Sequence, residues 1–389
     1  MTDLAMRVAP ARAEALRRAA PALLGYAAVR ALGLLALALW SAVRDKDAYT
    51  LLTARWDALW YTRVAELGYG YEVRLPNGDV HSNLAFFPLL PWLERLVAAV
   101  SPLSYADGGF VVSLLASLAA AWGIFAVAEH VYGRRAGVCA VLLWAVLPVG
   151  IVQSMAYSES LFTALAAWSL YAVLTGRWIT AGTLALLAGL TRPVGLAVVA
   201  AVWAAGIASF VRDHGTTPGP HGSRHVTRAL GMLLAPLGMV GYVLWVGHRT
   251  GKGPLGYLDV QAGWRNGFDG GYAFARFVAE KFTSFPSALA GAGLIIGVGL
   301  VVWLYVVCVR QRQPLPLLVY TGVVTALALC ASSYFGSKPR LLLPAFPLLL
   351  PLALSLARLR TRRSAGVLAG IAAASAVYGA FWLNGSGPP

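Results

Sequence analysis

Charge is scarce in this chain: only 12% of its 389 residues are Asp, Glu, Lys or Arg. A soluble domain carries about 25%, which excludes a molecule with water on all its faces. Cysteine is nearly absent as well. Cys139, Cys308 and Cys330 stand alone in separate apolar runs, so neither a disulfide framework nor a thiolate metal site is expected. The sequence has no Walker loop, dinucleotide glycine fingerprint, His-Glu-x-x-His pair or Cys-pair motif. A soluble nucleotide site is therefore unsupported, and neither cofactor nor metal is expected. Acidic residues number 16 against 31 basic ones, for a net charge of +15. The bases are scattered over many short segments between apolar runs. That pattern signals membrane topology and contact with anionic membrane lipids, not nucleic acid.

What the chain has in abundance is apolar sequence, 59% of all residues. Runs of roughly 18 to 22 residues recur, the length a helix needs to cross a bilayer. Backbone polar groups find no water there, so such runs must be helical. The expected fold is all-α and integral to the membrane, a single transmembrane domain over 1–389. It has about eleven spans, near 22–43, 108–128, 136–153, 158–175, 178–190, 194–211, 229–248, 286–309, 314–332, 341–357 and 364–383. The first follows Arg7, Arg12, Arg17 and Arg18, and reads as a retained signal anchor. With the N-terminus inside, the inner loops carry Arg134, Arg135, Arg177, Arg212, Arg224, Arg310, Arg312 and the basic run 358–363. The short outer loops carry only Arg192, Lys338 and Arg340, as the positive-inside rule requires. Segment 212–228 reads as an inner linker, and 44–107 and 249–285 as long outer loops.

The first outer loop is patterned. Residues 56–67 place Trp56, Trp60, Val64 and Leu67 on one helical face, and 86–100 form a second helix with Pro88 in its first turn. Both are expected to lie in the membrane surface, with Glu94 and Arg95 pointing to water. Asp57 admits two readings: a cap on free helix amides, or a general base whose carboxylate is tuned by partial desolvation. Glu159, in Tyr157-Ser158-Glu159-Ser160, either favours a helix N-terminus already capped by Ser158 or binds acceptor hydroxyls. Arg192, in Thr191-Arg192-Pro193, is a charge at membrane depth: a phosphate ligand, or a partner for a nearby acid. Lys338 and Arg340 run against the charge rule, which an anionic ligand would explain; interfacial anchoring is the alternative. His81 is a solvated loop histidine or part of a substrate surface. Arg30, inside the first run, is expected to pair or snorkel.

Five blocks now stand in order: Arg55-Trp56-Asp57-Ala58-Leu59-Trp60-Tyr61, Ala85-Phe86-Phe87-Pro88-Leu89-Leu90-Pro91, Tyr157-Ser158-Glu159-Ser160-Leu161-Phe162, Thr191-Arg192-Pro193-Val194-Gly195 and Lys338-Pro339-Arg340-Leu341-Leu342-Leu343-Pro344. Together they resemble the PIG-V-like mannosyltransferases, a family within the GT-C membrane glycosyltransferases. The resemblance spans roughly residues 50–350. It implies a GT-C-like helical bundle that transfers a sugar, mannose in this family, from a polyprenyl-phosphate donor to a lipid or glycan acceptor on the outer face, with inversion. It makes Asp57 the catalytic base. It suits an arginine near the donor phosphate, for which Arg192 and Arg340 are the matching candidates. Position and charge add Lys338 to the donor phosphate, and Trp56, Tyr61, His81 and Glu159 are the candidate acceptor residues. The competing readings are a GT-C transferase of another sugar, a transporter or flippase of polyprenyl-linked lipid, and a non-catalytic partner subunit.

Overall fold

A computed structural model describes residues 2–214, 222–332, 334–385 and 387. Residues 215–221 of the expected inner linker lie outside these, as do the side chains of Arg7, Arg12 and Arg224. In chain order the helices begin with α1 (Thr2–Val43), α2 (Ala48–Thr53) and α3 (Asp57–Leu67). A small hairpin follows, β1 (Glu72–Arg74) and β2 (Val80–Ser82), with Val73 opposite His81. Then come α4 (Leu89–Val100), α5 (Tyr105–Tyr132), α6 (Arg134–Ala145), α7 (Ser158–Leu174), α8 (Trp178–Gly189), α9 (Leu196–His214), α10 (Gly222–Leu234) and α11 (Leu237–Thr250). The second long loop holds α12 (Gly256–Gly263), β3 (Gly267–Phe268) and α13 (Tyr272–Glu280). The chain closes with α14 (Ser287–Arg310), α15 (Leu315–Cys330), β4 (Ala331–Ser332), α16 (Lys338–Leu341), α17 (Leu350–Arg358) and α18 (Thr361–Leu383).

Among the described residues, six helical segments are long and apolar enough to cross a membrane: Ala13–Val43, Tyr105–Tyr132, Pro193–Asp213, His225–Thr250, Ser287–Arg310 and Thr361–Leu383. The protein is a multi-pass membrane protein. The remaining expected spans are shorter or broken, and proline accounts for two of the breaks. The run expected as 136–153 is α6 followed by an irregular stretch through Pro148. The run expected as 341–357 bends by 74° between Phe335–Leu341 and Phe346–Arg358, around Pro344 and Pro347. Proline has no amide proton and clashes with the preceding turn, so an apolar run containing several cannot stay one straight helix. Ser158–Leu174, Trp178–Gly189 and Leu315–Cys330 are apolar helices of 10–17 residues.

The main core gathers Phe125, Trp144, Phe162, Tyr320 and Phe346. Glycine lets α8 approach α10 and α11 at backbone distance. A Cβ on Gly238 would lie 2.0 Å from the Leu186 carbonyl oxygen, and one on Gly231 would lie 2.3 Å from that of Trp178. Small residues at such contacts are the usual device of membrane helix packing.

The two long loops pack on one another: Trp264 Nε1 donates to the Ser82 carbonyl at 3.0 Å, and Arg265 Nε lies 2.6 Å from Asp79 Oδ2. The second loop is also tied to the segment after α15 by the pairing of β3 with β4, and the first loop to α11 by Tyr242, which donates to the carbonyls of Leu84 and Phe86 at 2.9 and 2.8 Å. Two expectations for the first loop need correction. The buried face of α3 is Ala58, Tyr61, Val64 and Ala65, while Leu67 is exposed. In α4, Glu94 does not reach water: it is fully buried against α5, where a Cβ on Gly109 would meet its Oε1 at 2.6 Å. Arg95 stays exposed, as expected, while its Nε donates to the Ala65 carbonyl at the end of α3. The apolar stripe Trp92, Leu96 and Val100 turns outward instead.

Candidate functional site

Four separate segments deliver four charges to one place. Asp57 opens α3, Glu159 lies in the first turn of α7, Arg192 lies in the extended link between α8 and α9, and Arg340 lies in α16. Arg340 Nη1 lies 2.8 Å from Asp57 Oδ2, and its Nε lies 3.2 Å from Glu159 Oε1. Arg192 Nη1 lies 2.7 Å from the same Glu159 oxygen. The order is Asp57, Arg340, Glu159, Arg192, with alternating sign and no net charge. Glu159 is buried, and the Asp57 side chain, at 25%, is the most exposed of the four. These are ion pairs by distance: among the described residues neither Glu159 oxygen accepts an aligned hydrogen bond, and Arg340 Nε and Nη1 donate none. Charge proximity holds the pairs, without the two-pronged fork that would lock an arginine onto one carboxylate.

Uncharged groups complete the cluster. Ser158 Oγ lies 2.7 Å from the Tyr61 hydroxyl and receives a bond of 3.1 Å from Arg192 Nη1. The Arg340 guanidinium sits 5.0 Å from the Tyr157 ring centroid. Burial pushes the phenols of Tyr61 and Tyr157 upward, so both stay protonated near neutrality. Neither capping alternative from the sequence is realised. Asp57 is not the cap of α3, whose cap position is Trp56 with no side-chain bond. Ser158 does not cap α7, because its hydroxyl is spent on Tyr61 and Arg192.

Trp56 has φ +50 and ψ −124, a left-handed backbone in a residue that is not glycine. Such strain costs about 1–3 kcal/mol and collects at functional sites. The Arg55 guanidinium lies 4.1 Å from the Trp56 ring centroid. Beside the charges stands an aromatic wall shared by the two loops. Tyr61 meets Phe86 edge-on at 5.2 Å, Trp60 stacks on Phe86 at 5.7 Å, and Trp264 meets Trp60 at 4.9 Å.

Of the residues singled out from the sequence, Asp57, Tyr61, Glu159, Arg192 and Arg340 come together. His81 stands apart from the charges: it stacks on Trp264 at 4.0 Å, and burial lowers its imidazole despite Asp79. Lys338 stands apart too. Its Nζ donates to the carbonyls of Ala328 and Ala331, both at 2.8 Å, beneath the rings of Phe274 and Phe335. A cation there satisfies the free carbonyls at the end of α15. Sequence reasoning missed the bridging role of Ser158, although the Tyr-Ser-Glu-Ser block contained it, and missed Trp264 altogether. A lone tryptophan in a loop carries no local signal of what it will pack against. Among the described residues, no group of three or more His, Cys, Asp or Glu could hold a metal ion.

Residues 29–214 match the family model for mannosyltransferase (PIG-V). Over that stretch, just under half of its length, the chain is similar to this family. The matched stretch contains Asp57, Glu159 and Arg192, while Arg340 lies beyond it. No curated protein matches. Among solved structures, the chain is similar to ArnT from Cupriavidus metallidurans in the apo state, at 16% identity and a TM-score of 0.50, over 80% of this chain and 56% of that one. It is similar to the same protein bound to undecaprenyl phosphate at 16% identity and a TM-score of 0.51, over 86% of this chain and 60% of that one. At that identity the likeness is one of fold alone. The chain spans less than two thirds of the length of these structures.

Proposed function

We propose that this protein is a membrane glycosyltransferase that moves a sugar, mannose, from a polyprenyl-phosphate donor to a lipid or glycan acceptor at the outer face. The observation that carries this reading is the Asp57–Arg340–Glu159–Arg192 cluster, in which the most exposed member is a carboxylate. The family match supports mannose. The undecaprenyl phosphate bound by ArnT supports a lipid-phosphate donor. All four charged residues fall in segments that the positive-inside rule assigns to the outer side, and their convergence supports that orientation. On this reading the three shorter apolar helices, the bent pair and α6 cross the membrane together with the six long segments, giving about eleven spans. Helices α3 and α4 then lie in the interface, with Trp92, Leu96 and Val100 in the headgroup region.

The chemistry is a single displacement. Asp57 takes the proton of the acceptor hydroxyl as its oxygen bonds to the anomeric carbon. The bond from that carbon to the phosphate oxygen breaks, its electrons stay on the phosphate, and the sugar is inverted. Protonation of Asp57 removes the negative partner of Arg340 just as the leaving phosphate gains charge. The Arg340 guanidinium then stabilises the phosphate without first moving in from solvent, as a preorganised cation should. Arg192 braces Glu159 and supplies the second cation; Trp56, Tyr61, Glu159 and the wall carrying His81 receive the acceptor. Lys338 acts on the donor side by holding the end of α15, from which α16 and Arg340 follow.

The test uses purified protein in lipid with radiolabelled polyprenyl-phosphate mannose and an extract of membrane lipids and glycans. Wild type should transfer label. Asp57→Asn should keep the fold and lose at least about a hundredfold in turnover. Near-normal turnover in Asp57→Asn removes the proposed base. Donor binding without transfer by wild type favours the transport reading.

A further inference from the structure

The charge balance of the cluster leaves a question for the donor. Each guanidinium in it is already matched by a carboxylate: Arg340 by Asp57, and Arg192 by Glu159. A polyprenyl-phosphate sugar is a phosphodiester and brings one negative charge of its own. Before any proton has moved, the neutral cluster has no cation to spare for it, and burying an unmatched phosphate beside Asp57 and Glu159 is costly.

An uncommitted cation stands next to the cluster. Arg55 forms no ion pair among the described residues. It is half-buried, and its guanidinium lies against the Trp56 ring at 4.1 Å. It stands two positions from Asp57, at most about 7 Å of backbone. Stacking leaves the edge of a guanidinium, with its paired N–H donors, open to a phosphate while holding its plane. The ring on which it rests is itself partly buried against the main core.

We infer that Arg55 is the ground-state ligand of the donor phosphate, matching its single charge, while Arg340 acts only as the second charge develops. This rests on the proposed transfer reaction and divides the phosphate's binding in time. Arg55 contributes equally before and during the displacement, and Arg340 mainly during it. Interactions of the first kind set KM and those of the second kind set kcat.

The experiment compares wild type, Arg55→Gln and Arg55→Lys in lipid nanodiscs, with donor kinetics and with direct binding of undecaprenyl phosphate. Arg55→Gln should raise the donor KM about 10- to 100-fold, the worth of a charge-assisted hydrogen bond, and leave kcat nearly unchanged. Arg55→Lys should fall between, because it keeps the charge but loses the planar stack. Weaker binding of undecaprenyl phosphate by Arg55→Gln should accompany these changes. An unchanged KM, or a fall in kcat alone, overturns the assignment. If wild type transfers nothing, the transferase reading fails by itself. The binding comparison then decides for Arg55: equal affinity of wild type and Arg55→Gln overturns the inference, and a tenfold loss upholds it.

Discussion

Arg340 touches both carboxylates of the cluster and is itself buried, so its removal is informative about stability and chemistry together. Arg340→Gln leaves Asp57 and Glu159 facing one another without their shared cation. Breaking a buried pair from one side typically costs about 3–5 kcal/mol, and thermal unfolding of the variant should show a loss of that order. Adding Asp57→Asn should return much of the stability, since it removes the charge left stranded while Glu159 keeps Arg192. No recovery of stability in the double variant would mean that Asp57 is not the charge Arg340 neutralises. The identities of Asp57, Glu159, Arg192 and Arg340 were legible from charge at unusual positions in apolar sequence. Their partners were not. Nothing local says that Arg340 reaches two acids while Lys338, two residues earlier, pairs with none among the described residues and caps α15.

Helix α4 shows how an element can be located correctly and still be turned the wrong way. Its place after Pro88 is legible, because proline suits the start of a helix. Its apolar stripe is legible too, but a stripe does not say whether it meets protein or membrane. Here Trp92, Leu96 and Val100 turn outward and Glu94 turns into α5. No partner for either Glu94 oxygen exists among the described residues, and burial holds the carboxyl well above the usual carboxylate range. The folded protein therefore keeps a proton there that the unfolded chain releases. The stability that this contributes is full below the unfolded value, near 4.3, and is lost as pH rises toward the folded one. Glu94→Gln removes the titration. The variant should match wild type near pH 4 and melt higher than it at pH 8. An equal pH dependence in both proteins would show that Glu94 is solvated or paired.

The molecule as a whole is organised around two breaks in apolar runs, and each break carries one charge of the site. The stretch after α6 leads through buried, irregular backbone to Tyr157, Ser158 and Glu159, while the bend after α16 follows Arg340 directly. Trp144 ties the two, donating to the Leu343 carbonyl at 3.0 Å. Arg30 from α1 neither pairs with an acid nor snorkels: it donates to the carbonyls of Ala145 and Gly150. Gln153 and Ser375 cover the carbonyls of Trp144 and Leu147 at 2.8 and 2.7 Å. Irregular backbone at membrane depth is tolerated where protein satisfies its polar groups in this way. Arg30→Leu should strand two buried carbonyls, lower the melting temperature and reduce transfer, although Arg30 lies outside the charged cluster. Unchanged melting would mean that the break is held without it.

The sequence alone determined the medium, the helical class, the likeness to a family and which four charged residues to look at. Each of these follows from local properties: the length of apolar runs, the scarcity of charge, and short motifs in order. The tertiary structure decided which charges meet, which face of α4 is buried, and where proline-containing runs bend. Those outcomes depend on distant carbonyls, carboxylates and glycines that share a site only once the helices have packed, and no window along the chain contains both partners.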